Sequence, residues 1–145
     1  MGSAWELYEH PELGETAYPL LVKHLRLDYP DRILNGIARG FTKEVARKHW
    51  PELLSIYLAD DRPESRDGLA TTLSACALRA HYDDLLSILD NEDLGETRIY
   101  FLRPVNRIGN RMAPGAGREV IERFRGDPVL GVEADAILRG RGRND

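Results

Sequence analysis

Apolar positions recur along this chain at helical spacing, in segments cut by punctuation at intervals of thirty-odd residues. The clearest copies are Arg66-Asp67-Gly68-Leu69-Ala70-Thr71-Thr72-Leu73 and Arg98-Ile99-Tyr100-Phe101-Leu102-Arg103-Pro104-Val105, 32 residues apart. Each begins on an Arg, places apolar residues three, four and seven positions later, and follows an acidic turn (Asp60-Asp61; Asp90 to Asp93). Spacings of three and four put these residues on one helix face. Their repetition predicts one helix-pair unit used several times, which is a helical solenoid rather than a closed globule.

Punctuation extends the pattern along the chain. A helix over 17–27 carries Leu20, Leu21, Leu25 and Leu27 inward and stops at Tyr29-Pro30-Asp31, since proline disfavours helix in the residue before it. A second, over 30–39, uses Ile33, Leu34, Ile37 and Ala38 and ends at Gly40. Thr42 caps a third over 43–59, kinked or divided at Trp50-Pro51, with Val45, Ala46, Trp50, Leu53, Leu54, Tyr57 and Leu58 on its core face. Asp61-Arg62-Pro63-Glu64 has the form of a capping box for a helix over 62–79 that packs Leu69, Ala70, Leu73, Ala77 and Leu78. Helices over 82–90 and 95–111 follow, the latter kinked at Pro104, where the Tyr100 carbonyl loses its donor. Residues 113–117 form a loop, and helices over 117–124 and 128–139 complete the set, the last capped by Asp127 and ended by Gly140. The expected fold is all-α, a right-handed α-solenoid of about four antiparallel helix pairs in one domain over 1–145. Residues 1–16, with Trp5, Leu7 and Tyr8 among acids, would cap its open end, and 141–145 would fray.

Composition agrees with a folded chain: 42% hydrophobic and 30% charged over 145 residues. No apolar run is long enough to span a bilayer, and the first residues lack the basic flank and apolar stretch of a secretory signal. The single cysteine, Cys76, lies between Ala75 and Ala77 and reads as a small buried side chain. A cytoplasmic location and no membrane association are expected.

Charge is uneven. Residues 1–97 hold 18 acidic and 10 basic side chains, whereas 98–143 hold 10 Arg, no Lys and 5 acids. Such an imbalance suits either solvated helix faces or a surface for an acidic partner. Convergent chemistry is scarce. His10, His24, His49 and His81 are scattered, with no His-x-x-x-His or His-Glu-x-x-His pair, so no metal and no cofactor is expected. Asp60-Asp61 and Asp83-Asp84 fall at helix starts, where they favour the positive end of the dipole. No phosphate loop, nucleophile elbow or dinucleotide fingerprint occurs, and no catalytic residue is assigned; a non-enzyme is expected.

An acidic turn, an Arg near the helix start, small or aliphatic residues and a Gly-containing exit occur in Asp61 to Leu73 and Asp93 to Gly109, and more loosely in Asp28 to Gly40 and Asp127 to Gly140. This pattern resembles the second helix of HEAT-type (armadillo-like) α-solenoid repeats. Tyr29-Pro30-Asp31-Arg32, Gly36-Ile37-Ala38-Arg39 and Trp50-Pro51 are similar to small bacterial HEAT-repeat proteins, some of which act as immunity or adaptor proteins. The resemblance implies that second helices line a concave binding surface. Arg32, Arg66 and Arg98 then fit an Arg–Asp ladder between adjacent repeats. Arg103, Arg107 and Arg111, four residues apart and flanked by Asn106 and Asn110, form one helix stripe, with Asn35, Arg39 and Thr71 at comparable positions on earlier helices. Those eight residues are the expected partner-binding set. The expected function is sequestration or scaffolding of a protein, such as a toxin domain, without catalysis. The alternative is nucleic-acid binding through the C-terminal Arg stripe.

Overall fold

In the computed structural model the described residues are 11–27, 35–38 and 41–140, with side chains from Ala17 onward. Every regular element among them is helical and none is a strand, so the fold is all-α. No helix among the described residues is long and apolar enough to cross a membrane. The chain divides into two compact units, Met1–Cys76 and Ala77–Asp145. Residues 1–10 of the expected cap and the tail 141–145 lie outside the described residues.

The first unit contains α1 (Pro11–Leu25), a helical segment over 35–38, α2 (Lys43–Lys48), α3 (Trp50–Ala59) and α4 (Pro63–Cys76). The core stripe of α1 is Tyr18, Leu21, Val22 and Leu25, a three-and-four spacing that turns Leu20 outward, while Leu27 lies beyond the helix end. Both of these leucines, expected inside, are exposed. Thr42 caps α2 as expected, its hydroxyl accepting from the Val45 amide at 3.3 Å. The predicted division at Trp50-Pro51 occurs at His49, whose φ of −106° and ψ of 24° break the helix. Pro51 then occupies the first turn of α3, where no amide donor is needed. Trp50, Leu53, Ile56 and Tyr57 are the buried side of α3, leaving Leu58 exposed and Leu54 half-buried. α4 packs on α2 and α3 through Leu69, Ala70, Leu73 and Cys76. It stops at Cys76, earlier than the predicted 79, and Arg47 Nε donates to the Cys76 carbonyl at 2.7 Å.

The cap of α4 differs from the expected box. Asp60, not Asp61, supplies the carboxylate, accepting from the Arg62 amide at 2.9 Å and from the Ser65 hydroxyl at 2.6 Å. Gly68 lets α4 meet the 35–38 segment closely: a Cβ there would sit 2.7 Å from Ala38 Cβ and 2.9 Å from the Asn35 carbonyl oxygen. Thr72 Oγ1 donates to the Ala38 carbonyl at 2.9 Å across the same contact.

The second unit begins with a 3₁₀ turn (Arg79–His81) and α5 (Tyr82–Asp90), then a 3₁₀ stretch (Glu92–Arg98), α6 (Ile99–Met112), α7 (Ala116–Glu122) and α8 (Gly131–Leu138). The predicted helix over 95–111 starts only at Ile99, because Gly95 adopts φ 62° and ψ −137°, a conformation open to glycine. Pro104 lies inside α6, as read from the sequence. Asp127 Oδ1 accepts from the Val129 and Leu130 amides at 2.8 and 2.9 Å. This turn precedes α8, so the cap is the predicted one although the helix starts three residues later than the predicted 128. Gly140 ends α8 at φ 75°. α6 is the central element: it packs on α5, α7 and α8 and buries Phe101, Leu102, Val105 and Ile108.

Both capping carboxylates carry a pH dependence. Burial alone would raise the Asp60 carboxyl, but hydrogen bonds from Arg62 and Ser65 and the Arg62 charge outweigh it and hold the group below its ordinary value. Amide hydrogen bonds from Leu130 and Val129, aided by the Arg98 charge, do the same for Asp127 against the opposing effect of burial. A carboxyl lowered in the folded state contributes stability that is fully present above the unfolded value, about 4, and is lost as pH falls through the folded value. Acid titration of stability, followed by helical circular dichroism, is therefore expected to be shallower below about pH 4 in Asp60→Asn and Asp127→Asn than in the parent. Unchanged slopes in both variants would contradict the assignment.

Candidate partner-binding surface

Charge pairing decides which arginines are available. Eight arginines fall between Arg98 and Arg139, and six of them are engaged within the fold. Arg98 is the most committed. Only 3% exposed, it donates from Nη1 to the Leu89 carbonyl at 2.9 Å and from Nε to the Gly95 carbonyl at 3.0 Å. Its Nη2 lies 3.6 Å from Asp127. A cation on the last carbonyls of α5 also suits the negative end of that helix. Arg98 thus ties α5, the 3₁₀ stretch and the turn before α8 together.

In the first unit the corresponding tie is Arg62, not the expected Arg66. Arg62 grips the Asp60 carboxylate through Nε and Nη2 at 2.8 and 2.7 Å. It also donates to the Leu25 and Leu27 carbonyls, each at 2.7 Å. Arg66 donates through Nε to the Asp60 backbone carbonyl at 2.9 Å. The available signal was Asp60-x-Arg62 immediately before Pro63. Arg32 lies outside the described residues.

Arg103 donates through Nε to Glu133 of α8 at 2.9 Å, because packing of α8 on α6 brings its first turn alongside. Arg123 pairs with Asp90, Arg125 and Arg139 with Asp135, and Arg118 with Glu122 and the Leu138 carbonyl. That leaves Arg107 and Arg111. Neither has a hydrogen bond or ion pair among the described residues; Arg107 is half-buried and Arg111 exposed. They sit one turn apart on the α6 stripe that begins with Arg103.

The other expected binding residues are placed less openly. Asn106 is buried, at 7% exposure, because α6 crosses α7 there; its Oδ1 accepts from Asn110 Nδ2 at 3.2 Å. Asn110 is half-buried, and its Oδ1 accepts from the Arg118 amide at 3.1 Å, which fixes the start of α7. Asn35 turns inward onto α4, donating to Glu64 Oε2 and the Glu64 carbonyl, each at 3.2 Å, and to Asp67 at 3.0 Å. Thr71 donates to the Asp67 carbonyl at 3.0 Å. Arg39 lies outside the described residues. The structure therefore gives Asn35, Thr71, Arg103, Asn106 and Asn110 roles inside their own unit, and it leaves Arg107 and Arg111 as the part of the stripe without partners among the described residues.

Elsewhere the chemistry is that of packing. Tyr18 stacks on His49 at 3.7 Å between ring centroids, and its hydroxyl donates to Glu52. His81 Nδ1 accepts from the Leu78 amide at 3.0 Å. No group of three or more His, Cys, Asp and Glu among the described residues is placed to hold a metal ion. Burial pushes the Cys76 thiol up to about 11, far from a reactive thiolate. An open depression of about 400 Å³ on α3 is lined by Pro51, Leu54, Ser55, Leu58 and Ala59, mostly apolar side chains with no ionisable group. No protein-family model, curated protein or solved structure matches this chain.

Proposed function

We propose that the protein is a non-catalytic binding module, a HEAT-like α-solenoid of about four helix pairs that sequesters or scaffolds another protein in the cytoplasm, in the manner of an immunity or adaptor protein. The observation that supports this most directly is the pair Arg107 and Arg111, left without partners among the described residues on a helix whose neighbouring arginines are all engaged. A guanidinium that loses water is matched by acceptors wherever a fold can supply them, so an unmatched pair, Arg107 half-buried and Arg111 exposed, suits a surface completed by something else. Successive helices packed on one another within each unit, and the helix-end arginines Arg62 and Arg98, are the features a repeat architecture would use.

Nucleic-acid binding is the second reading, and the same pair argues against it. The two arginines of this stripe neutralise about two phosphates, which by themselves give a weak, shallow salt dependence, whereas tight duplex binders use about six to ten. A tagged form passed over extract of its native source is expected to retain one protein in near-equal amount, and Arg107→Glu with Arg111→Glu is expected to release it. Absence of any stoichiometric protein, together with retention of labelled duplex at low salt, would overturn the proposal in favour of the second reading.

A further inference from the structure

The α6 stripe already holds one carboxylate, and that contact shows how it would hold others. Glu133 reaches Arg103 from α8, a helix lying alongside α6, with Nε to Oε1 at 2.9 Å. Arg107 and Arg111 repeat the same side chain one and two turns further along. A step of four residues advances about 6 Å along a helix, and a carboxylate pair on a second helix at four-residue spacing advances by the same amount. α8 supplies no acid at those levels: its remaining carboxylate, Asp135, is taken by Arg125 and Arg139.

We infer that Arg107 and Arg111 receive an acidic helix of a partner protein, laid along α6 with carboxylates four residues apart, continuing the contact that Glu133 makes to Arg103. The inference rests on the protein-binding reading and names the chemistry of its partner. Charge complementarity selects the occupant. The surface presents two arginines four residues apart on one helix, and Asn110 between them is already turned to Asn106 and Arg118. Planar two-donor groups favour carboxylates presented at fixed positions over a diffuse negative charge. A regular spacing of acids, rather than their number, is what the stripe reads.

Two helical peptides of identical composition provide the test, one with Glu on a single stripe at four-residue spacing and one with the same Glu residues distributed around the helix. Fluorescence anisotropy at low salt is expected to show the striped peptide binding about tenfold more tightly than the distributed one. Arg107→Glu with Arg111→Glu should abolish that preference. Arg79→Glu, a charge reversal at an exposed arginine outside α6, should leave the preference unchanged. Equal binding of the two peptides, survival of the preference in the double variant, or tighter binding of a single-stranded oligonucleotide of equal charge would each overturn the inference. Its failure is separable from that of the parent proposal. A stoichiometric native partner whose binding ignores the double variant leaves the binding module standing and removes only the acidic helix.

Discussion

Replacement of Arg98 by Met is expected to cost about 3–5 kcal/mol of folding stability, measured as the change in urea midpoint with unchanged slope. Methionine keeps much of the aliphatic volume, so the loss reports the guanidinium itself. That group serves the Leu89 and Gly95 carbonyls and faces the Asp127 carboxylate from a site only 3% exposed. Removing it takes one donor from each of two carbonyls and weakens the charge balance of the α8 cap. Arg98→Lys should lose less, since an ammonium keeps the charge but cannot span three acceptors in the planar geometry of the fork. A loss in Arg98→Met below about 1 kcal/mol, the size of a surface pair, would show that water reaches these carbonyls and that the tie is not structural.

The second large effect is expected at the crossing of α6 and α7. A Cβ on Gly117 would overlap the Asn106 carbonyl oxygen and lie 2.8 Å from Asn106 Cα. A Cβ on Gly109 would lie 2.7 Å from Gly117 Cα and 2.6 Å from the Tyr82 hydroxyl. These obstacles are mainly backbone, which cannot rotate away, so the helices must separate. Gly117→Ala and Gly109→Ala are each expected to destabilise by about 3 kcal/mol, the upper end for overpacking, in thermal or urea unfolding. Gly36 makes the contrasting case, with nothing within 4 Å of its would-be Cβ and a helical setting in the 35–38 segment. Gly36→Ala should gain about 0.5–1 kcal/mol, the ordinary helix propensity difference. Equal effects at Gly36 and Gly117 would mean that α6 and α7 do not approach at this crossing.

The same crossing explains a limit of reading the site from spacing alone. Residues four apart on α6 share a stripe, so Arg103, Arg107 and Arg111 are equivalent in the sequence. They are not equivalent in the fold. α8 arrives against the first of them and supplies Glu133, and Gly117 draws α7 close enough to bury Asn106. Leu20, Leu54 and Leu58 show a related limit. An apolar residue adjacent to a core stripe looks like part of it until the width of the contact is known, and here the contact is narrower than the run of leucines. Arg62 went unassigned because its acceptors, the Leu25 and Leu27 carbonyls, lie more than thirty residues earlier.

Local chemistry was legible directly. Period, proline, glycine and capping acids act over four or five residues, so the sequence by itself determined the all-α class, the exact span of α5, the division at Trp50-Pro51, the caps at Thr42 and Asp127 and the stop at Gly140. Gly95 shows where even this fails, since a glycine inside a periodic run does not announce its sign of φ. Which charges are spent internally and which remain outward was decided only by tertiary packing. A guanidinium finds its acceptor across helices whose approach depends on side-chain volume at distant positions. The three arginines of one stripe therefore became one internal tie and two without partners among the described residues.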